Sequence, residues 1–347
     1  MKAVRIHEHG GPEKLLWEEM PTPEPGSHEV LVEVRASALN HLDLWVRRGI
    51  PGITLPRVLG SDMSGIVRET GSETRKWKSG DEVILIPGSS CGMCEECWSG
   101  RENYCPDYRI YGEHRDGVQA EFVSVAESQL LRKPPNLTYA EGAAYPMVFQ
   151  TAWNMLVTRG KIQPGRTVLI LGGAGGVGSA AIRIAKLYRA KVIATAGSEE
   201  KREMCTELGA DDVVNHHDEE ISRRVKEITN GEKVDLVVEH PGAETWEQSM
   251  RSLKPGGALV TCGATTGYRV SLDLRFLFSK QYSILGATMG SRTDLLQVSN
   301  LMEKGLLNPL IDKVFPVQRV KDAHEYLESG DHTGKTILSF GSEKNSK

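Results

Sequence analysis

Apolar and polar positions follow one period in the first third of this chain and another in the rest. From residue 1 to about 125 the signal is short strands with little helical periodicity. Val30, Val32, Val34 and Ala36 alternate with Leu31, Glu33, Arg35 and Ser37, which predicts a half-buried strand. Residues 65–67, 81–86 and 121–125 predict further strands between glycines and prolines, and Pro21, Pro23 and Pro25 mark an extended segment with no ladder of its own. Beyond Pro134 and Pro135, helix and buried strand alternate. Residues 139–144 and 151–157 predict helical pieces. The continuous apolar run 168–171 predicts a strand buried on both faces, and strands follow at 192–195, 213–214, 234–238, 258–261 and 283–285. An amphipathic helix around 320–327 and a strand at 336–339 close the chain. The fold class is therefore α/β: a compact, β-rich domain followed by a doubly wound parallel-sheet domain, with no internal repeat.

A chain of 347 residues is long enough for two cores. Its net charge of −4 comes from 42 basic and 46 acidic residues without a basic block, so charge suggests no nucleic-acid partner. The N-terminal MKAVRIHEHGG has no apolar core of a signal peptide, and no segment approaches eighteen uninterrupted apolar residues. The expectation is a cytoplasmic protein with a small-molecule partner and no membrane partner.

The first buried strand runs straight into Gly173-Ala174-Gly175-Gly176-Val177-Gly178. Gly173, Gly175 and Gly178 fit G-x-G-x-x-G: one glycine for the tight turn, one for close approach of a pyrophosphate, one for packing of helix on strand. Val177, Ala181, Ile184, Ala185 and Tyr188 then recur on one helical face, and residues 191–195 form the next strand. This βαβ unit predicts dinucleotide binding. An acid about 20 residues past the loop would take the ribose hydroxyls of NAD. Ala196 and Gly197 stand there instead, which favours NADPH over NADH, although Glu199 and Glu200 would oppose this if turned inward. Cys262 and Gly263, at a strand's carboxyl end, are placed to meet the nicotinamide.

Of the six cysteines, Cys91, Cys94, Cys97 and Cys105 give C-x2-C-x2-C-x7-C. Four thiolates at this spacing fill the tetrahedral shell of zinc and leave no open position, so one structural zinc per chain is expected; an iron–sulfur cluster is the alternative. Cys205 and Cys262 lie apart and suit small core positions.

These motifs resemble the medium-chain dehydrogenase/reductase superfamily, which includes zinc alcohol dehydrogenases and quinone oxidoreductases. The resemblance runs from MKAVRI and PEPGSHEVLVEV through GSDMSGIV and GDEVI to the glycine loop and the closing GKTIL. It implies a GroES-like catalytic domain at 1–148 with a structural-zinc lobe at 88–110, a Rossmann domain at 149–288, and a segment 289–347 that completes the catalytic domain. The active site would lie in the cleft between domains. Thr151 would contact the nicotinamide end, Ser198 and Lys201 would hold the 2′-phosphate with His216 assisting, and sheets pairing edge to edge near 282–287 would give a homodimer or homotetramer. Where alcohol dehydrogenases hold a catalytic zinc, this chain has Asn40, Ser61 and Met147, none a good zinc ligand. The ALN-x-x-D pattern around Asn40 resembles instead the zinc-free quinone oxidoreductases, in which that asparagine lies beside the nicotinamide.

Without a Lewis acid, the fitting chemistry is hydride transfer to an acceptor with its own electron sink: an α,β-unsaturated carbonyl or a quinone. Asn40 is the candidate for positioning nicotinamide and substrate, Asp43 for orienting Asn40, and His41 for relaying a proton. Trp45, Arg48, Tyr111 and Phe276 are candidates to line the pocket. Two rivals remain: a zinc alcohol dehydrogenase with ligands drawn from His41, Asp43 and Asp62, and a crystallin-like protein that binds NADPH without turnover.

Overall fold

A computed structural model describes residues 1–341. The chain forms two compact units, Met1–Met147 together with the chain from Leu295 onward, and Val148–Asp294. Among the described residues, no helix is long and apolar enough to cross a membrane.

The first unit is built on the strand Glu29–Ala38. Its sheet runs in the order Leu130–Arg132, Glu82–Leu85, Asp62–Thr70, Glu29–Ala38, Lys335–Ser339, Ile311–Pro316, and Phe122–Ala126 also pairs with Glu29–Ala38. The sequence predicts a half-buried strand here, but the strand is buried along most of both faces. Val30, Val32 and Val34 belong to the main core, while Ala36 and Ala38 pack with Ile337 against Ala143 and Ala144 of the helix Tyr139–Ala144. Alternation marks one apolar face and is silent about a polar face that later elements cover. Register matters most at the far end, where Ala38 lies opposite both Asp62 and Ile337. The antiparallel pairings thereby bring Asn40, Asp62 and Lys335 to one end of three adjacent strands.

Directly after that end comes the helix His41–Arg48, where the sequence shows little helical periodicity. It is held by burial of Leu44 and Val46 and of the polar Asp43 and Arg47. Arg47 accounts for the weak pattern: its buried guanidinium bonds to Glu328 and to His324 at 3.2 Å, so a core position reads as a surface charge.

The second unit is a six-stranded sheet in the order Asp212–Asn215, Lys191–Ala196, Thr167–Ile170, Val234–Glu239, Leu253–Thr261, Ser283–Gly286, with every pairing parallel. Counting from Thr167–Ile170 this is 3-2-1-4-5-6, so the winding reverses beside the first strand, and its carboxyl end is where such sheets bind ligands. Leu169, Leu171, Ile193 and Val237 lie in its core. The helix predicted at 151–157 is the end of Pro146–Trp153 continued by a π-helical stretch, Asn154–Arg159.

Candidate functional site

The end of the three strands in the first unit carries a buried cluster of charges. Asn40 occupies the N-cap of the helix His41–Arg48, and its backbone N–H donates to Asp43 Oδ2 at 2.8 Å. Asp43 Oδ1 accepts the Gly60 N–H at 2.9 Å. The Asn40 side chain also reaches into the charge cluster. Its Nδ2 donates to Asp62 Oδ2 at 2.9 Å and its Oδ1 accepts from the Lys335 ammonium at 2.5 Å. Lys335 also donates to the Leu39 carbonyl at 2.7 Å and lies 3.6 Å from Asp62, whose other oxygen accepts the Met147 N–H at 2.9 Å.

All four polar side chains are buried. Burial pushes the Asp43 carboxyl up to about 6, against the opposing pull of the Asn40 and Gly60 N–H groups and of Lys335. Burial likewise raises the Asp62 carboxyl and lowers the Lys335 ammonium, and the two charges partly offset this for each other. A charge removed from water in this way persists only when paired and hydrogen-bonded, and each member here has such partners.

His41 opens the helix on its exposed side, its ring 5.8 Å from that of His332 and 6.5 Å from that of Trp45. Ser61 is turned away and donates to the Tyr111 carbonyl at 2.8 Å. Among the described residues, the four clustered cysteines are the one group of three or more His, Cys, Asp or Glu side chains whose ligand atoms converge. His41, Asp43 and Asp62, the alternative ligand set for a catalytic zinc, do not form such a group.

In the second unit the left-handed turn after Thr167–Ile170 falls on Gly172, φ +56°, one residue before the glycine predicted for it. The Gly172 N–H is held by Thr195 Oγ1 at 3.0 Å. Gly173 is needed for space: a Cβ there would lie 2.8 Å from Cys205 Sγ and 2.9 Å from Ala194 Cβ. At Gly178 it would lie 2.1 Å from the Gly172 carbonyl oxygen. Gly175 caps the helix Gly176–Leu187 with no side chain across the end, and a Cβ there would meet only Gly172 oxygen, at 3.4 Å. A bare helix start bounded by Ala174, Gly175, Gly176 and Val177 suits a pyrophosphate.

At the end of the next strand, Gly197 lies against two imidazoles. A Cβ there would fall 2.6 Å from His217 Nε2 and 3.0 Å from His216 Nε2. Ser198 caps the helix Glu199–Glu207, accepting the Lys201 N–H at 3.3 Å, and Glu199 pairs with Arg202 on its own helix. Cys262 follows the strand Leu253–Thr261, and burial pushes its thiol up to about 12, which makes it inert rather than nucleophilic. Gly263 backs onto the His240 carbonyl, where a Cβ would lie 2.9 Å away. Thr151 is buried in the helix Pro146–Trp153.

The sulfur atoms of Cys91, Cys94, Cys97 and Cys105 all lie within 4.8 Å of one another, with separations of 3.9 Å for Cys91–Cys97, 3.5 Å for Cys94–Cys97 and 3.6 Å for Cys91–Cys105. A tetrahedron of thiolates about 2.3 Å from zinc has edges of about 3.8 Å, so this donor set fits the ion. Backbone N–H groups of Met93 and Cys94 lower the Cys91 thiol, while hydrogen bonds to its cysteine neighbours raise that of Cys94; a metal would require all four as thiolates.

Sequence reasoning did not assign Lys335 or His217. The signal for Lys335 was available: it is the one charged residue of the closing strand, Lys335–Ser339, whose Ile337 and Leu338 mark it for burial.

A parallel sheet wound both ways from a glycine loop, joined in one chain to a β-rich unit, defines the two-domain nicotinamide-dependent oxidoreductases. The comparisons agree. Residues 26–135 match the alcohol dehydrogenase GroES-like domain and residues 176–304 the zinc-binding dehydrogenase family. The crotonyl-CoA carboxylase/reductase of Cereibacter sphaeroides is 33% identical over 95% of this chain and 84% of its own length. A crystal structure of an NAD-dependent alcohol dehydrogenase is 43% identical, with TM-score 0.95 over 98% of this chain and 100% of that one. The crotonyl-CoA carboxylase/reductase AntE in complex with NADP is 27% identical, with TM-score 0.91 over 98% of this chain and 94% of that one. The chain belongs to the medium-chain dehydrogenase/reductase superfamily and is an oxidoreductase.

Proposed function

We propose that this protein reduces the carbon–carbon double bond of α,β-unsaturated carbonyl compounds with NADPH, and that it does so without a catalytic zinc. The observation that carries this reading is the buried Lys335–Asn40–Asp62 cluster: Asn40, at one of the three positions where the resemblance puts a metal ligand in alcohol dehydrogenases, is held between an ammonium and a carboxylate. An amide oxygen already accepting from an ammonium is a poor ligand for a cation. Similarity to crotonyl-CoA reductases supports an enone or its thioester as acceptor. A quinone is the second acceptor with the same electron sink.

Bound NADPH supplies the hydride. The residues of this chain do the rest. Asn40 has two N–H groups and commits one to Asp62; the second donates to the acceptor's carbonyl oxygen and stabilises the charge that develops there. Asp43 fixes the start of the helix that carries His41, the exposed group we assign to returning the proton. Gly175 and the helix Gly176–Leu187 receive the pyrophosphate, and Ser198 and Lys201 the 2′-phosphate; that AntE is solved in complex with NADP supports the choice of cofactor. Thr151, Cys262 and Gly263 are proposed to border the nicotinamide. The four cysteines hold one structural zinc, and the outer strand Ser283–Gly286 pairs copies into a homodimer or larger assembly.

Steady-state turnover of enones, quinones and simple alcohols with each nicotinamide cofactor tests the proposal. Enone reduction with NADPH should exceed alcohol oxidation, and Asn40→Ala should lower kcat by about 100-fold, as loss of one oxyanion donor does. Preferred oxidation of alcohols with NAD, which the 43% identical dehydrogenase would predict, overturns it. NADPH binding with no turnover of any acceptor would establish the non-catalytic alternative.

A further inference from the structure

We propose that His216 and His217 read the 2′-phosphate of NADPH by taking up a proton as it binds, so that this protein's choice between NADPH and NADH depends on pH. The inference rests on the NADPH reading above, in which His216 already assists, and adds His217 and a proton to it.

Topology brings the two rings to this place. Asn215 pairs with Ala196 at the carboxyl ends of neighbouring parallel strands, so His216 and His217 leave one strand beside Gly197 as it leaves the other. The rings stack edge to face, 4.5 Å apart, against the bare backbone of Gly197. That glycine is required for room rather than for a left-handed turn, since any side chain would displace both imidazoles. Where NAD-binding chains hold the ribose with a carboxylate, this chain therefore packs two titratable nitrogen rings, with Ser198 and Lys201 in the first turn of the next helix.

The charged groups bearing on His216 are His217 and Lys201, and together with burial they hold it below its ordinary value. Of the acids on the same elements, Glu199 pairs with Arg202, Asp218 accepts from Asn215 at 2.6 Å, and Glu219 accepts the Asn215 N–H at 2.8 Å and pairs with Arg224; Glu200 lies beside Glu199 in the first turn of the helix Glu199–Glu207. Without cofactor, His216 is neutral near pH 7. A 2′-phosphate carries a charge of roughly −1.5 to −2 there, and an opposite charge within about 4–6 Å raises a histidine by about one to three units. The proton comes from the buffer, and no bond to carbon changes. NADH offers a hydroxyl and draws none. Because the bound state holds the proton more tightly, NADPH affinity gains as pH falls through the bound-state value and is lost as pH rises through it.

Calorimetric titration of the zinc-loaded full chain at pH 7 with NADPH and NADH, in buffers of different ionisation enthalpy, counts the protons. We expect uptake of about half to one proton with NADPH and none with NADH, and the same contrast between 2′-AMP and 5′-AMP. The dissociation constant of NADH divided by that of NADPH should fall by up to about tenfold per pH unit above neutrality. The His216→Gln, His217→Gln double variant should lose the uptake and flatten that ratio. NMR titration of the imidazoles in the unaltered protein, with and without 2′-AMP, gives the same answer if the variant fails to fold. NADPH binding tighter than NADH with no proton uptake overturns this proposal and leaves the NADPH reading standing. Uptake that persists in the double variant also overturns it. Equal affinity for the two cofactors overturns the NADPH reading and the proposal together.

Discussion

The ammonium of Lys335 lies 2.5 Å from the side-chain oxygen of Asn40, while the nitrogen of the same amide donates to Asp62 at 2.9 Å. The flanking charges decide which way the amide faces. Reversed, it would aim N–H groups at an ammonium and an oxygen at a carboxylate. Lys335 thus sets the direction of the N–H group proposed to meet substrate.

Replacing Lys335 with Met leaves Asp62 buried without its counter-charge, a loss of about 3–5 kcal/mol. The double variant Lys335→Met, Asp62→Asn removes both charges and should recover most of that stability, as read from denaturant unfolding midpoints. Asn40 then has neither of its charged partners, so turnover should fall while KM for the acceptor changes little. Full kcat in the refolded double variant would show that the cluster serves stability alone.

Asp43 gives a pH dependence of definite sign. Its folded value of about 6 lies above the ordinary 3.8, so the folded state holds that proton more tightly than the unfolded chain does. Its contribution is present in full below pH 4 and is lost as pH rises through 6, a change of about 3 kcal/mol. Asp43→Asn is less stable than the parent at pH 4, because an amide has one oxygen for the two N–H groups that Asp43 accepts. That deficit should shrink by about the same 3 kcal/mol by pH 7. A pH-independent difference between the two proteins would show that Asp43 is ionised throughout.

The second unit was legible because its strands are buried on both faces and its turn must be glycine, so apolar runs and G-x-G-x-x-G both reach the sequence. Even there the left-handed residue is Gly172, since in a Gly-Gly pair the pattern marks the turn without saying which glycine takes positive φ. The cluster in the first unit was half legible. Asn40 and Asp43 are neighbours in sequence, but Lys335 reaches them through pairing of strands nearly three hundred residues apart, which no local pattern encodes. The helix His41–Arg48 was hidden because its buried face is partly made of Asp43 and Arg47.

Gly175 and Gly178 separate folding of the glycine loop from its use. A Cβ at Gly178 would meet backbone at 2.1 Å, so Gly178→Ala must distort the loop and lower both the melting temperature and cofactor affinity. A Cβ at Gly175 has room in the folded chain but stands where the pyrophosphate approaches. Gly175→Ala should therefore melt within about 1 °C of the parent, given that 1 kcal/mol is worth only a few degrees, yet bind NADPH at least about tenfold more weakly. Unaltered affinity would place the pyrophosphate elsewhere.

Metal content separates the two zinc hypotheses. Protein purified without added metal should hold one zinc per chain, lost in Cys97→Ser together with stability of the lobe, since binding energy of a structural zinc is folding energy. A second zinc that survives Cys97→Ser would mean that the Asn40 cluster is rearranged around a metal, and alcohol chemistry would follow.

The outer strand Ser283–Gly286 ends the sheet of the second unit, and the chain before it displays Tyr268, Leu274, Phe276 and Phe278 at 81%, 63%, 58% and 71% exposure. An unpaired strand edge beside so much exposed aromatic and aliphatic surface is a template for association, and two such edges related by a two-fold axis satisfy each other. Phe276→Asp with Phe278→Asp places like charges across the two-fold contact. Sedimentation should then show a smaller species than the parent at the same concentration, with the near-ultraviolet dichroism of the remaining aromatic residues retained. A parent that already sediments as a monomer at micromolar concentration would remove this surface as the site of assembly.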